Sequence, residues 1–224
     1  MKGESEIVIT GVGLEFPGIQ DTTSLLGTSP IAAGTHEFRP DIKLGRKGLR
    51  YKDQATKLAL CAAKAALEDA KLPTSAEAQI SSETFGVVVS SNLGNLDTVC
   101  RVVNEIHSGS TNDLSPLDLP NASSNVIAST IAIRFGCKQL NLMLCNGATS
   151  GLDALYLAGN SIRAGRAKRV LIVGVEPVNQ MVSKLMQESA RAWLGYEVEM
   201  RLGEGAAAVI IEDAEEARRR NAPI

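Results

Sequence analysis

Apolar and polar positions along the chain predict strands and helices in alternation. Short apolar or β-branched runs at residues 6–10, 84–90 and 140–144 predict strands. The unbroken apolar run at residues 170–175 is typical of a strand covered on both faces, and residues 203–213 predict a glycine turn followed by a last apolar strand. Such an alternation, joined by short turns, indicates an α/β layered domain whose sheet is covered by helices on both faces.

A helical period separates these strands. The strongest case has Leu58, Ala62 and Ala66 on one side of a segment that Pro73 ends. Helices are predicted at residues 51–72, 95–107, 122–135, 152–164 and 178–194, and the charged residues 212–221 are predicted to form a surface helix or tail. Gly136 is predicted to cap one of these helices at its C-terminal end.

Residues 142–176 form the central stretch of the pattern. An apolar strand ends in the small-residue turn at residues 146–151 and leads directly into a helix. Such a turn places its central side chain at a helix N-terminus, where free N–H groups favour a developing negative charge. Nucleophiles are often placed there, but the central residue in this chain is Ala148, which has no nucleophilic group.

Composition limits the possible functions. The chain has 224 residues, of which 44% are hydrophobic, so it is long enough to bury a core. The formal charge of −2, from 23 basic and 25 acidic side chains, gives no electrostatic reason to bind nucleic acid or an anionic membrane. We expect neither a signal peptide nor a membrane helix, since no apolar run approaches the ~20 residues that a span needs. The default expectation is a cytoplasmic protein.

The cysteines and histidines do not suggest a metal site. The four cysteines, Cys61, Cys100, Cys137 and Cys145, form no CxxC pair and have no histidine nearby, so we expect reduced thiols that serve mainly in packing. Cys145 differs because it directly precedes the central turn. Neither His36 nor His107 is placed in surroundings that suggest a general base.

Two further segments have structural and functional interpretations. The pair Gly11 and Gly13 suits a tight turn at the exit of the first strand, and Phe16 breaks the GxGxxG pattern of a dinucleotide site.

An irregular surface excursion is predicted at about residues 18–50. It ends in a basic cluster, Arg46, Lys47 and Arg50, which is either a solvated loop or a docking point for an acidic carrier or partner.

Several segments together resemble the N-terminal half of a β-ketoacyl-acyl carrier protein synthase, a thiolase-fold condensing enzyme of fatty acid and polyketide synthesis. They include IVITGVG at residues 7–13, FGVVVSSNLGNLDT at 85–98, GATSGLDAL at 147–155, RAKRVLIVGVE at 166–176 and LGEGAAAVIIED at 202–213. The matching segments are collinear over most of the chain. The resemblance implies a thiolase-like mixed sheet covered by helices, with residues 1–224 as one ketosynthase-like N-terminal domain.

The resemblance also indicates where the catalytic cysteine of that family would lie. Aligning the family's T-S-G with Thr149, Ser150 and Gly151 puts Ala148 at the nucleophile position, and the later glycine–glutamate element then falls on residues 174–176 without a gap. An alternative alignment that uses Cys145 needs an insertion of three residues. We call residues 147–151, Gly147, Ala148, Thr149, Ser150 and Gly151, the elbow, and expect them to border an acyl pocket.

Two differences from the family predict that the chain is inactive alone. Alanine cannot form the acyl thioester, and the family's two histidines and its lysine belong to a C-terminal half that lies beyond Ile224. The sequence GLDAL resembles chain-length-factor subunits, which lack the cysteine and pair with an active ketosynthase, although those subunits more typically carry glutamine at this position. No cofactor is expected.

The first hypothesis is therefore a non-catalytic, chain-length-factor-like subunit that pairs with a β-ketoacyl-acyl carrier protein synthase in fatty acid, polyketide or polyene synthesis. Its expected partners are a ketosynthase subunit or a second copy, and an acyl carrier protein, with residues 115–135 and 140–144 at the interface. Two alternatives remain open. One is a decarboxylase or acyltransferase whose histidines come from a second polypeptide, and the other is a carrier-docking module that uses the basic cluster.

Several other side chains are predicted to have structural or packing roles. Asp153 is predicted to be a first-turn acid of a helix, and Glu176 and Glu204 are predicted to have structural roles. Trp193 and the methionines Met181 and Met186 are expected to pack in the core or to face a partner.

Overall fold

A five-stranded mixed sheet organises the chain in the computed structural model, which describes residues 6–16, 19, 38–78, 82–116, 119–197, 200 and 202–224. The strands are β1 (Ile7–Glu15), β2 (Phe85–Ser90), β3 (Asn141–Leu144), β4 (Arg169–Glu176) and β5 (Gly205–Asp213). They lie in the order β1-β5-β4-β2-β3, so β1 and β3 are the edge strands. β2 runs parallel to β3 and β4, whereas β5 runs antiparallel to β4 and β1. The predicted mixed α/β layered fold is confirmed.

Helices cover both faces of this sheet. They are α1 (Pro40–Leu44), α2 (Gln54–Asp69), α3 (Leu96–Ser108), α4 (Val126–Phe135), α5 (Ser150–Arg163), α6 (Gln180–Leu194) and α7 (Ala214–Arg219). α2 and α4 lie on one face, over the larger apolar core, and α5 lies on the other face, over a smaller core. α3 and α6 contact each other.

Helix ends follow local capping. α2 begins at Gln54 because the Asp53 side chain accepts a hydrogen bond from the Thr56 N–H at 2.7 Å. α4 begins at Val126, after a short 3-10 helix, and ends where predicted, at Gly136, whose φ of 72° is left-handed. Residues 20–37 of the predicted excursion lie outside the described residues, and residues 38–50 contain α1 and the turns after it.

The predicted exit turn at Gly11 and Gly13 is wrong, because β1 continues through both residues to Glu15. The glycines allow α2 to approach the strand closely. A Cβ atom on Gly11 would lie 2.3 Å from the carbonyl oxygen of Ala66, and one on Gly13 would lie 2.1 Å from that of Ala62. Any side chain at these two positions would force α2 away from the sheet, which explains the glycine pair without any ligand.

The prediction that residues 212–221 lie on the surface is wrong for Glu212. This residue belongs to β5 and is completely buried, since α7 begins only at Ala214. Thr10 Oγ1 donates a hydrogen bond to Glu212 Oε1 at 2.6 Å, and Arg220 Nε donates one to Oε2 at 3.0 Å. The Arg169 guanidinium forms an ion pair with the same carboxylate, with 3.1 Å between Nε and Oε2. One carboxylate thus joins β1, β4, β5 and the chain after α7.

Burial alone would raise the pKa of Glu212. Hydrogen bonds from Arg220 and Thr10, together with the charge of Arg169, outweigh that effect and hold the pKa below its ordinary value of 4.5. A lowered folded-state pKa means that the ionised group stabilises the fold. This contribution is complete above the unfolded-state pKa and is lost as the pH falls through the folded-state value.

We predict that Glu212→Gln lowers the free energy of unfolding by about 3 kcal/mol, because it leaves two arginines without a buried counter-charge. For a domain of this size the melting temperature should fall by about 6–12 °C near neutral pH. Thermal unfolding followed by circular dichroism measures the change.

Glu83→Gln is the matched control, because Glu83 pairs with Lys138 on the surface and its side chain is 76% exposed. The control should leave the melting temperature nearly unchanged. The difference between wild type and Glu212→Gln should shrink as the pH is lowered below about 4.5. An equal loss at acidic and neutral pH would contradict the assigned charge of Glu212.

Candidate functional site

The predicted strand-to-helix turn is present at the carboxyl end of β3. The strand ends at Leu144, a short 3-10 helix follows at Gly147–Thr149, and α5 begins at Ser150. Gly147 has a φ of 70°, a left-handed conformation that glycine adopts without strain. Ala148 and Thr149 are exposed, whereas Ser150 is buried. The elbow therefore presents the Ala148 methyl group at the mouth of a helix.

Asn92, in the loop after the neighbouring strand β2, holds the elbow in position. Its Oδ1 accepts a hydrogen bond from the Gly147 N–H at 2.9 Å, and its Nδ2 donates to the Gly147 carbonyl at 3.2 Å. Ser150 Oγ donates to the same carbonyl at 2.9 Å and accepts from the Asn146 N–H at 2.6 Å. The turn is thus fixed both by the loop after β2 and by the first residue of α5.

Glu176, at the end of β4, holds Asn92 in turn. Its carboxylate accepts hydrogen bonds from the N–H groups of Asn92 at 2.6 Å and Leu93 at 3.1 Å, and from Asn92 Nδ2 at 3.0 Å. Glu204 similarly accepts from Gln54 Nε2 and from the Val178 N–H, both at 3.2 Å. These contacts are those of structural residues, as predicted for both glutamates.

A shallow cavity of about 370 Å³ opens beside the elbow. Gly147, Ala148, Ser150 and Gly151 of the elbow line it, together with residues that end β2 and β4 and with Phe16, Gly203, Gly205 and Ala207. Thr149 instead donates its hydroxyl hydrogen to Asp153 at 3.2 Å, and Asp153 also accepts from Asn146 Nδ2 at 2.7 Å. Asp153 lies in the first turn of α5, as predicted.

The side chain and backbone groups of the elbow differ in the chemistry that they offer. Ala148 and Thr149 lie in the short 3-10 helix before α5, and backbone N–H groups at the start of a helix can hydrogen-bond a carbonyl oxygen because the helix supplies them no acceptor. The Ala148 methyl group offers no atom that could accept an acyl group. The arrangement can orient an acyl carbonyl, but residue 148 cannot hold it covalently.

None of the four cysteines is among the described residues that line this cavity. Cys145 is exposed, and its Sγ lies 3.8 Å from the Asn92 carbonyl oxygen, but it is not among the described residues that line the cavity. Burial raises the pKa of both Cys61 and Cys137 to about 12, so these thiols are protonated and unreactive at neutral pH. Packing, the predicted role, accounts for both.

Other expected features have mixed outcomes. Within the described ranges no group of three or more acidic, cysteine or histidine side chains could hold a metal ion, and no helix is long and apolar enough to cross a membrane. His107 is exposed in the last turn of α3, and His36 lies outside the described residues. Trp193 is predicted either to pack in the core or to face a partner. Its side chain is 91% exposed, so it does not pack in the core of the described chain.

The basic cluster lies on the surface after α1. Arg46, Lys47 and Arg50 are exposed, and two of them, Arg46 and Arg50, line a second hollow of about 330 Å³ together with Lys57. Arg134 of α4 donates hydrogen bonds to the carbonyl oxygens of Leu44 and Lys47 and so fixes the backbone of this loop. The cations are therefore displayed on an ordered turn.

Sequence reasoning did not identify Ser90 and Asn92 as site residues. Both stand at the carboxyl end of a buried parallel strand, β2, and in α/β sheets that end is where ligands bind. A polar residue directly after the apolar run FGVVV was the available signal.

Comparison with known proteins gives consistent matches. The family model for the β-ketoacyl synthase N-terminal domain matches residues 31–217. The 3-oxoacyl-acyl-carrier-protein synthase 2 of Coxiella burnetii is 24% identical over 97% of this chain and 60% of its own length. The chain thus spans about 60% of that curated relative.

Two solved structures share the fold. An ishigamide ketosynthase/chain length factor structure matches with a TM-score of 0.72 and 24% identity, over 93% of this chain and 62% of its own. A type II polyketide synthase acyl-carrier protein in complex with its ketosynthase matches with a TM-score of 0.74 and 22% identity, over 98% of this chain and 60% of its own. Because the family model covers well over half of the chain, this protein belongs to the β-ketoacyl synthase family and matches its N-terminal domain.

Proposed function

We propose that the chain is a non-catalytic, chain-length-factor-like subunit that pairs with a β-ketoacyl-acyl carrier protein synthase in fatty acid, polyketide or polyene biosynthesis. The observation that carries the proposal is Ala148 at the centre of an otherwise intact elbow. An acyltransferase of this family needs a nucleophile there. A well-formed elbow without one supports a role in binding and assembly.

Several features of the described chain support this role. Its strands form one sheet, which supports treating residues 1–224 as a single ketosynthase-like N-terminal domain. The family match together with the alanine supports a subunit that is inactive alone, and a cytoplasmic location remains a prediction from the sequence. Pairing with a ketosynthase is supported by the solved ketosynthase/chain length factor structure that shares this fold.

The edge of the sheet at β3 is the proposed interface. Among the described residues this strand forms a ladder with β2 on one side only, which leaves backbone groups on its other side for a partner strand. Nearby in sequence, Leu119 is 46% exposed and Ile133 of α4 is 78% exposed. Apolar side chains beside an open strand edge are what a partner subunit would bury.

A second apolar surface is also available for a partner. Gly11 and Gly13 face α2, so Val12 between them points to the opposite side of the sheet, where it is 37% exposed. On α5, Leu152 and Tyr156 are 69% and 71% exposed and share one helix face. These side chains support the proposal that a further polypeptide covers this side of the sheet.

The second candidate is a decarboxylase or acyltransferase completed by a second polypeptide. The cavity of about 370 Å³ and the first-turn N–H groups at Ala148 favour it, because they could stabilise a developing oxyanion. The histidines for proton transfer would come from the other chain. Alanine would then remove chain transfer while leaving decarboxylation possible.

Co-expression tests the pairing. We predict that the tagged chain, co-expressed with a β-ketoacyl-acyl carrier protein synthase of the same organism, co-purifies with it as a one-to-one complex. Ile133→Glu should weaken this complex at least about tenfold, because it places a charge in an apolar interface. Size-exclusion chromatography with light scattering measures the stoichiometry, and titration calorimetry measures the affinity.

Ile224→Glu is the matched control, since Ile224 is 73% exposed and follows α7, which packs on β1 and β5 at the other side of the sheet from β3. It should leave the complex intact. A wild-type chain that remains a monomer beside the ketosynthase would contradict the proposal. Self-association in place of the complex would favour a homodimer, and full affinity of Ile133→Glu would exclude α4 from the interface.

The basic cluster is the proposed docking point for the acidic acyl carrier protein. We predict that Arg46→Glu lowers the affinity for the carrier about tenfold and that added salt weakens wild-type binding, because exposed charges guide this contact. Lys184→Glu on α6 is the control of equal charge change and should have no effect. Equal binding by all three proteins would reduce the cluster to a solvated loop.

A further inference from the structure

Ser90 places a hydroxyl group in the cavity beside the elbow. The residue is the last of β2 and is only 6% exposed, and its exposed part lines the cavity. Side chains alternate along the strand, with Val87 and Val89 in the core under α2 and α4 and Val88 in the core under α5. The Ser90 side chain therefore lies on the α5 side, beneath the start of that helix.

Two glycines leave the hydroxyl accessible. A Cβ atom on Gly174 would lie 3.4 Å from Ser90 Oγ, and a Cβ atom on Gly151 would lie 3.9 Å from it. Because neither residue has a side chain, the space over the hydroxyl stays open to the cavity. Gly151 belongs to the elbow and Gly174 to β4, so Ser90 lies between the two elements that border the cavity.

The other polar side chains around the cavity are already committed. Asn92 bonds Gly147 and Glu176, Ser150 bonds Gly147 and Asn146, and the Glu176 carboxylate accepts from the loop after β2. The Ser90 hydroxyl, in contrast, forms no hydrogen bond with the described part of the chain, and it faces the cavity rather than being one of the fully buried unpaired polar atoms. Water in the cavity can hydrogen-bond this hydroxyl, and a ligand that displaces that water has to supply a hydrogen-bond partner in its place or leave the hydroxyl unpaired, which is destabilising.

This requirement discriminates between acyl chains. A saturated chain over Ser90 would exclude water from the hydroxyl and offer it no partner. A chain with a ketone or hydroxyl oxygen at that depth would replace the lost hydrogen bond, and sites with such a buried polar group reject ligands that lack the matching one. The Ser90 hydroxyl can both donate a hydrogen bond to a ketone oxygen and accept one from a hydroxyl group.

We infer that Ser90 makes this cavity selective for oxygenated acyl chains, of the ketone- or hydroxyl-bearing kind, over saturated ones of the same length. The inference rests on the proposed function, since it takes the cavity as an acyl pocket. Ser90 acts as a specificity-determining residue that hydrogen-bonds the chain, and no covalent step is involved.

Binding of matched ligands tests the inference. The probes are hydrolysis-resistant pantetheine amides of octanoyl, 3-oxooctanoyl and 5-oxooctanoyl chains, titrated into the purified 224-residue chain by calorimetry. Wild type should bind at least one oxo ligand about tenfold more tightly than the octanoyl ligand. Ser90→Ala should bring the ligands to within about twofold of one another, chiefly by improving the octanoyl affinity relative to the oxo affinity.

Ser161→Ala is the control, because the Ser161 hydroxyl bonds the Leu157 carbonyl within α5 and does not line the cavity. It should keep the wild-type preference, and melting curves of both variants show that each is folded. Equal binding of all ligands to wild type, or an unchanged preference in Ser90→Ala, would overturn the role of Ser90 and leave the acyl pocket standing. Absence of binding by every ligand would overturn both the inference and the acyl pocket, while the pairing with a ketosynthase is decided separately by co-purification.

Discussion

The hydrogen bonds of Asn92 determine where the elbow lies, and the candidate site depends on them. Asn92 follows β2, the elbow follows β3 and Glu176 ends β4. These three strands are parallel neighbours, so their carboxyl ends meet at one edge of the sheet. The amide of Asn92 bonds Gly147 on one side and Glu176 on the other. The cavity, the helix N-terminus and the Ser90 hydroxyl are brought together by this one junction.

The opposite end of the same sheet is held by a buried charge. Arg169, the first residue of β4, pairs with Glu212 of β5, and the carboxylate also binds Thr10 and Arg220. β4 thus has a carboxylate-centred junction at each end, one beside its first residue and one at Glu176. These two junctions hold the elbow in a defined geometry, and neither of them needs a catalytic group. A rigid elbow that lacks a nucleophile is compatible with a subunit whose role is to complete an assembly.

Much of the fold could be predicted because its signals are local. The apolar run at β4, the helical period of α2 and the glycine after α4 each depend on neighbouring residues, and the structure confirms them. The glycine pair in β1 misled the prediction, because its cause is the approach of α2, which lies some fifty residues later in the chain. Glu212 also looked like a surface residue, because its partners Thr10 and Arg169 are distant in sequence.

The residues of the candidate site divide in the same way, into those that local sequence predicts and those that strand pairing brings in. The elbow was found from a strand, a small-residue turn and a helical period that are contiguous in sequence. Ser90 and Asn92 come from a different strand, and only the parallel pairing of β2 with β3 and β4 places them against the elbow. The open edge of β3 likewise depends on the strand order, which no local pattern encodes.

We propose that this chain retains the condensing-enzyme elbow but, with Ala148 at its centre, cannot carry out the covalent step. Intact-mass spectrometry of the chain co-purified with its ketosynthase, after incubation with an acyl-loaded carrier protein, tests it most directly. The account predicts that the acyl mass is added to the partner ketosynthase alone and that the mass of this chain does not change. An acyl adduct on this chain, above all on Cys145, would contradict the account.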